Sequence, residues 1–396
     1  MFRLLSFLLG LAVAAPAWAA GKPIVTDVRV GVHDGLTHFV LDVSAPIQVQ
    51  RVFTLPAPYR VVIDLPSSKE QPDLRNERVN TGIISAYRSG RFSTRTFRLV
   101  LEVTGPARVL RHYPLPGERG LGHRYVFQLE PVNAATFARE RQAPPVLAAA
   151  VPGPPMPRAK PERSANKTLI VIDPGHGGID PGATRGRKIL EKDITLAVAK
   201  RIKKELEKSD RYSVLLTRDS DIFMSLHDRT MVAQGRLADL FISIHADSIR
   251  KRGIRGAAVY RLSDKASDEE AEALAQKENQ ADVLAGVERF DSYGDSTRDI
   301  LVKLQQGKAQ ERAIHFSGML VEALRGERVK MLRKPRRYAG FVVLKAPEVA
   351  SVLVELGYLS NKRDARLLRS AKHQARLARA VRRAVDRYFT NEISMN

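Results

Sequence analysis

Four polar residues in the second half of the chain have the types and settings of a hydrolytic metal centre: His176 in DPGHGG, Glu191 in LEKD, His245 in FISIHAD and Glu355 in LVELGYLSN. Two imidazoles and one carboxylate can hold a zinc ion and leave a position open to water, and a second carboxylate nearby can take the proton that water releases. Each of the first three has an ordinary alternative. His176 follows the turn Asp173-Pro174-Gly175 and would serve as a loop residue, Glu191 as a first-turn carboxylate favoured by a helix dipole, and His245 as a satisfied core histidine. What points to metal is their joint placement, at strand ends and a helix start around one sheet edge. Gly177 and Gly178 would let the backbone pass close to an ion. Glu355 lies inside the apolar run SVLVELG, where an unpartnered ionised carboxylate is costly. Its partner is either an arginine such as Arg229 or Arg218, or a zinc ion and its water, in which case Glu355 is the general base.

The elements that must position these residues follow from the hydrophobic period. After the linker, strands alternate with helices: LIVID, a helix over 193–208, YSVLLTR, a helix over 226–238, LFISIHA, helical patterns at 267–287 and 309–325, a short strand FVVL, the strand SVLVELG and a basic helix over 372–389. Ligands of such sheets gather at the carboxyl ends of strands, where His176, His245 and Glu355 fall. Before the linker, short runs such as THFVLDVS and TRTFRLVLEVT alternate, with Phe39, Leu41, Val43, Phe97, Leu99, Leu101 and Val103 on a buried face and Arg98, Val100 and Glu102 on a wetter one. The expected fold is an α/β catalytic domain with a twisted, largely parallel mixed sheet flanked by helices, preceded by a small all-β sandwich. The boundaries read as 21–132 for the sandwich, 133–167 for a linker rich in Ala, Pro and Arg without a sustained period, and 168–392 for the catalytic domain.

Composition narrows the setting. A chain of 396 residues with 44% hydrophobic content can bury two cores, and its net charge of +22 seeks an anionic partner. Met1-Phe2-Arg3, the apolar run from Leu4 to Ala15 and Ala17-Trp18-Ala19 form a secretory leader, with cleavage expected near Ala19 or Ala20 and delivery to the periplasm by the general secretory route. That run is too short to span a membrane, and no later segment is longer, so no transmembrane segment is expected in the mature chain. Export and the lack of any recognition motif argue against nucleic acid. With no cysteine, stability comes from packing and bound metal, and the metal ligands are limited to His, Asp and Glu.

The motifs IDPGHGG, LEKD, LADLFISIHAD and SVLVELGYLSN resemble, in order and spacing, those of the type three zinc-dependent N-acetylmuramoyl-L-alanine amidases, over about 168–390. The segment 24–130 looks like the N-terminal AMIN-type targeting module of periplasmic members. The resemblance implies hydrolysis of the amide between N-acetylmuramic acid and L-alanine of peptidoglycan, in wall remodelling and daughter-cell separation. It assigns His176, Glu191 and His245 as zinc ligands and Glu355 as the catalytic glutamate, and it implies an activator protein of the LytM-domain type. Two positions depart from the family pattern, Asp247 and Gln234, each where Asn is usual; both bear on hydrogen bonding around the site and neither on a ligand.

Between the third ligand and Glu355 lies an acidic helical segment, within an insertion at 263–305. Leu274, Glu278, Ala281 and Ala285 follow the spacing of a buried stripe, on which a carboxylate is unusual. In the cell-separation amidases the corresponding insertion is implied to block the site until a partner displaces it. Glu278 is therefore the candidate autoinhibitory carboxylate, with Ile300, Leu301 and Leu304 as a docking surface for the activator; the alternative is a solvated surface helix. Two rival functions remain: a zinc peptidase or carboxypeptidase acting on the stem peptide, and a non-catalytic wall-binding protein.

Overall fold

The computed structural model describes residues 23–142 and 167–393, apart from 69, 73, 75, 76, 118–121, 187, 252 and 288–298. The expected leader and most of the linker, 143–166, lie outside the described residues, as do the side chains of Ile300, Leu301 and Leu304. The first unit has nine strands: β1 (Val25–His33), β2 (Leu36–Val43), β3 (Arg51–Leu55), β4 (Arg60–Pro66), β5 (Glu77–Thr81), β6 (Ile84–Arg91), β7 (Thr96–Val103), β8 (Ala107–Leu115) and β9 (His123–Pro131). They form two antiparallel sheets, ordered β1-β2-β9-β8 and β3-β4-β7-β6-β5. Phe39, Leu41, Leu99, Leu101 and Phe127 fill the space between the sheets, as the alternation requires.

The other face departs from expectation. Arg98 and Val100 are buried too, because the second unit covers that sheet. Period-2 alternation reports only which residues share a face, and a face covered by another domain is invisible to it. The stretch read as linker also begins differently, with helix α1 (Ala134–Gln142). Asn133 Oδ1 accepts from the Thr136 amide, and Phe137 packs edge-on against Tyr59 at 5.2 Å, so one aromatic anchor fixes a helix that has little apolar period of its own.

The second unit comprises β10 (Thr168–Pro174), β11 (Thr184–Arg185), β12 (Ile189–Leu190), α2 (Glu191–Leu206), β13 (Tyr212–Leu216), α3 (Leu226–Gly235), β14 (Leu240–His245), β15 (Ala257–Leu262), α4 (Glu269–Glu278), α5 (Ala281–Leu284), α6 (Asp299–Gly326), β16 (Met331–Ala339), β17 (Ala350–Glu355), α7 (Lys362–Leu368) and α8 (Ala371–Ile393). Six strands form one sheet in the order β13-β10-β14-β17-β15-β16, parallel except where β15 runs against β17. One face carries α2, α6 and α8. Ile194, Val198, Ile202 and Leu206 recur every fourth residue of α2 and meet Leu377, Val381 and Val385 of α8 in a single core. The other face carries α3 and α4 over Phe241, Tyr260, Phe341 and Leu353.

Two expectations need correction. FVVL is a 3₁₀ turn, Val342–Leu344, because four apolar residues after Gly340 carry no period and bury as readily in a turn. The single helix expected over 267–287 breaks at Asn279–Gln280, where Asn279 donates to the Gly340 carbonyl and accepts from the Val342 amide instead of continuing the helix.

Candidate metal centre

The parallel order places three strand ends side by side. His245 and Glu355 are register partners at the ends of β14 and β17, and His176 lies two residues beyond β10. Gly175 must be glycine, since a Cβ there would meet the His245 ring at 2.4 Å. His176 itself sits at φ +60°, a left-handed conformation that costs a non-glycine residue of order 1 kcal/mol and persists only when its surroundings impose it. Arg229 imposes it. Its guanidinium donates to the carbonyls of His176 (2.8 Å) and Pro174 (2.8 Å) and to Asp173 (2.7 Å), and Asp173 also accepts from Thr217 and Ser243.

Four buried side chains converge here. His176 Nε2 lies 3.2 Å from Glu191 Oε1 and 3.4 Å from Glu278 Oε2; His245 Nδ1 lies 3.3 and 3.2 Å from the same two atoms. A tetrahedral ion with ligand bonds of about 2.0–2.1 Å requires neighbouring ligand atoms roughly 3.3–3.4 Å apart, which these separations match. His176, His245 and Glu278 present ligand atoms that all lie within 4.8 Å of one another. His176 Nε2, His245 Nδ1, Glu278 Oε1 and Glu355 Oε1 are buried and have no hydrogen-bond partner among the described residues, so the site fits a cation with unused donor atoms. His176 Nδ1 is 2.7 Å from Asp180, which fixes the tautomer and leaves Nε2 as the free lone pair. Glu191 accepts from the amides of Ala183 and Ala246, both at 2.7 Å, so its position does not depend on an ion.

The charges tell the same story. Burial alone would lower the His176 imidazole, yet the carboxylates of Asp180, Glu191 and Glu278 hold it well above the ordinary range. Burial would raise Glu191, but the two imidazoles hold it well below. Glu355 is pushed well above the carboxylate range by burial and by Glu191 and Asp247. Its Oε2 accepts from the Asp247 amide at 3.0 Å, while Oε1 stays unbonded. The alternative of an arginine partner fails, because Arg229 pairs with Asp173 and Arg218 donates to backbone carbonyls.

The structure brings His176, Glu191, His245 and Glu278 together, with Glu355 held beside them on the Asp247 amide. Glu278 arrives from α4 and lies against both imidazoles. The reading missed Asp180, whose signal is a carboxylate four residues after the histidine. It also missed Lys277, which pairs with Asp247 from the residue next to Glu278. The Asp at 247 thus has a cation on the helix that carries Glu278, a partner that an Asn would not attract by charge.

Residues 170–387 match the family model described as N-acetylmuramoyl-L-alanine amidase, and residues 27–116 match that of the AMIN domain. The chain is 31% identical to the N-acetylmuramoyl-L-alanine amidase AmiC of Escherichia coli O6:H1, over 96% of this chain and 93% of that protein. It is 30% identical to AmiC of Neisseria meningitidis serogroup B, over 98% of this chain and 95% of that protein. Among solved structures, AmiC2 of Nostoc punctiforme is 28% identical, over 56% of this chain and 97% of that chain, with a TM-score of 0.41.

Proposed function

The chain belongs to the N-acetylmuramoyl-L-alanine amidase family, and from that membership we propose that it cleaves peptidoglycan with a zinc ion held by His176, Glu191 and His245, and that its own Glu278 closes the site at rest. The amidase activity comes with the family. The bond cut joins the lactyl carbonyl of N-acetylmuramic acid to the amine of L-alanine, and the products are a free carboxylate on the sugar and a peptide with a free amino terminus. The observation that carries the metal reading is the set of buried, unbonded nitrogen and carboxylate atoms around one point.

Zinc bound there would polarise the scissile carbonyl and acidify a water toward neutral pH. The rest falls to the chain's own residues. Glu355, fixed through Oε2 by the Asp247 amide, offers Oε1 to a water proton and delivers that proton to the departing amide nitrogen as the C–N bond breaks and the C–O bond forms. A carboxyl whose proton affinity is raised by burial suits both halves of the transfer. Asp180 holds the His176 ring with Nε2 facing inward, and Arg229 holds its backbone. Glu278 occupies the side of the imidazoles that substrate would need. We read 263–305 as the regulatory insertion, 21–132 as the targeting domain, and displacement of α4 by an activator of the LytM-domain type as the opening step.

The expected leader and the peptidoglycan substrate support a periplasmic protein that works at the wall during remodelling and daughter-cell separation. No helix among the described residues is long and apolar enough to cross a membrane. The deciding experiment measures peptides released from purified peptidoglycan by the chain lacking residues 1–20, with and without chelator. Little release is expected while the insertion is intact, and release of peptides beginning with L-alanine, lost on chelation, once 265–305 is also removed; peptides lacking that alanine would mean a peptidase, and no release from the variant without 265–305 would mean an inert binder.

A further inference from the structure

Strands β4 and β7 are buried on both faces. One face makes the sandwich core. On the other, Leu55, Val62 and Val100 pack against Ile179, Phe223 and Ala285, which belong to the catalytic unit. Two of these belong to the segments that carry site residues: Ile179 is three residues from His176, and Ala285 is seven from Glu278.

The polar contacts converge on the same two segments. Arg98 makes a bidentate pair with Asp64 at 2.6 and 2.8 Å and, through Nη1, donates to the carbonyls of Gly286 (3.2 Å) and Ala285 (3.4 Å). Arg60 donates to the Val283 carbonyl. These are charge-assisted bonds from a rigid sheet to the middle of the insertion, a few residues past Glu278. On the loop side, Phe92 stacks on Phe223 at 5.6 Å, and the Arg91 carbonyl accepts from the Phe223 amide at 3.3 Å. Gly90 lies so close that a Cβ would stand 2.4 Å from Ile179 Cα.

We propose that the N-terminal sandwich is a latch in cis: the outer face of its five-stranded sheet receives residues 283–286 of the insertion together with the Gly178–Ile179 loop, and so keeps Glu278 against the two imidazoles. One rigid sheet spans both the loop that carries a ligand and the segment that carries the block, so the two cannot separate while all three are docked. Withdrawing Glu278 requires either breaking the Arg98 and Arg60 bonds or carrying the whole sandwich along. A targeting domain that undocks on meeting its own ligand would thereby loosen the block. The latch rests on the reading of Glu278 as the blocking carboxylate.

The test uses the chain lacking residues 1–20 in three variants. Gly90→Val drives bulk into the Ile179 backbone, Gly286→Val meets Val62 and Val100 from the insertion side, and Glu278→Ala removes the block directly. If Gly90→Val does not fold, judged by its unfolding midpoint, Phe92→Ala replaces it and strips the stack without adding volume. The expected result is amide exchange across 281–287 about tenfold faster in both latch variants, with basal peptide release rising toward that of Glu278→Ala. If Glu278→Ala releases peptides while the latch variants exchange faster but stay at the wild-type rate, the latch is wrong and the block stands. If Glu278→Ala stays at the wild-type rate, the block is wrong and the latch falls with it.

Discussion

Replacing Arg229 by methionine removes a guanidinium that is 3% exposed and makes four hydrogen bonds, to Asp173, Pro174, His176 and Met224. Methionine keeps much of the volume, so the loss is mainly electrostatic. Asp173 is fully buried and would keep only its two hydroxyl donors, Thr217 and Ser243. Breaking a buried pair from one side costs about 3–5 kcal/mol, since the other charge is left uncompensated. At about 2–4 °C per kcal/mol for a domain of this size, the unfolding midpoint should fall by roughly 6–20 °C. The sign with pH is fixed by Asp173. Burial would raise its carboxyl, but Arg229 together with the Thr217 and Ser243 hydroxyls holds it below the ordinary value of 3.8, so the contribution is complete above that value and is lost as pH falls through the folded-state pKa. The double variant Asp173→Asn/Arg229→Met should recover part of the loss, because no buried charge then remains. Thermal and urea unfolding of the four proteins in the cycle gives the coupling. A single-variant drop below about 2 °C, or a double variant as unstable as the sum of the singles, would refute the argument that a charged pair locks the His176 turn.

Other outcomes follow from the same geometry. Asp180→Asn should weaken zinc affinity about 10–100-fold in a competition titration while the protein stays folded, since it loosens the His176 ring without removing a ligand; unchanged affinity would deny Asp180 its positioning role. In the Glu278→Ala background, Glu355→Gln should leave zinc binding unchanged but lose roughly 10²–10⁴-fold in peptide release; full activity would move the proton transfer to another group. His373 is held neutral by burial, with its pKa below the ordinary 6.5, so its share of stability is complete above that value and fades as pH falls below it. The unfolding midpoint of His373→Gln should therefore drop less between neutral and mildly acidic buffer than that of the wild type, and an identical drop would exclude His373 as a source. Binding to purified peptidoglycan should weaken from low salt to about 0.5 M NaCl because the +22 charge is screened, whereas salt-independent binding would assign recognition to uncharged contacts.

What the sequence revealed, and what it hid, divides by the range of the interactions involved. Phe39, Leu41, Leu99 and Leu101 were legible as core because their period is written in adjacent residues. The meeting of His176 and His245 was legible because rare polar types at strand ends mark a sheet edge. The break at Asn279 was not, since its bonds reach Gly340 and Val342, more than sixty residues away. Strands β15 and β16 escaped for a related reason. β16 reads MLRKPRRYA, an edge strand in which Arg333, Lys334 and Arg336 are exposed while Arg337 pairs with α4, and nothing in it alternates cleanly. Most telling is Arg98. Beside Val100 on the face of β7 that the alternation assigned to solvent, it reads as a surface arginine, and its burial makes sense only once Asp64 and the carbonyls of Ala285 and Gly286 are brought to it. A buried arginine with three separate acceptors is hard to replace by a salt-screened surface contact. The residue that local pattern placed in water is therefore one of those through which the two domains meet.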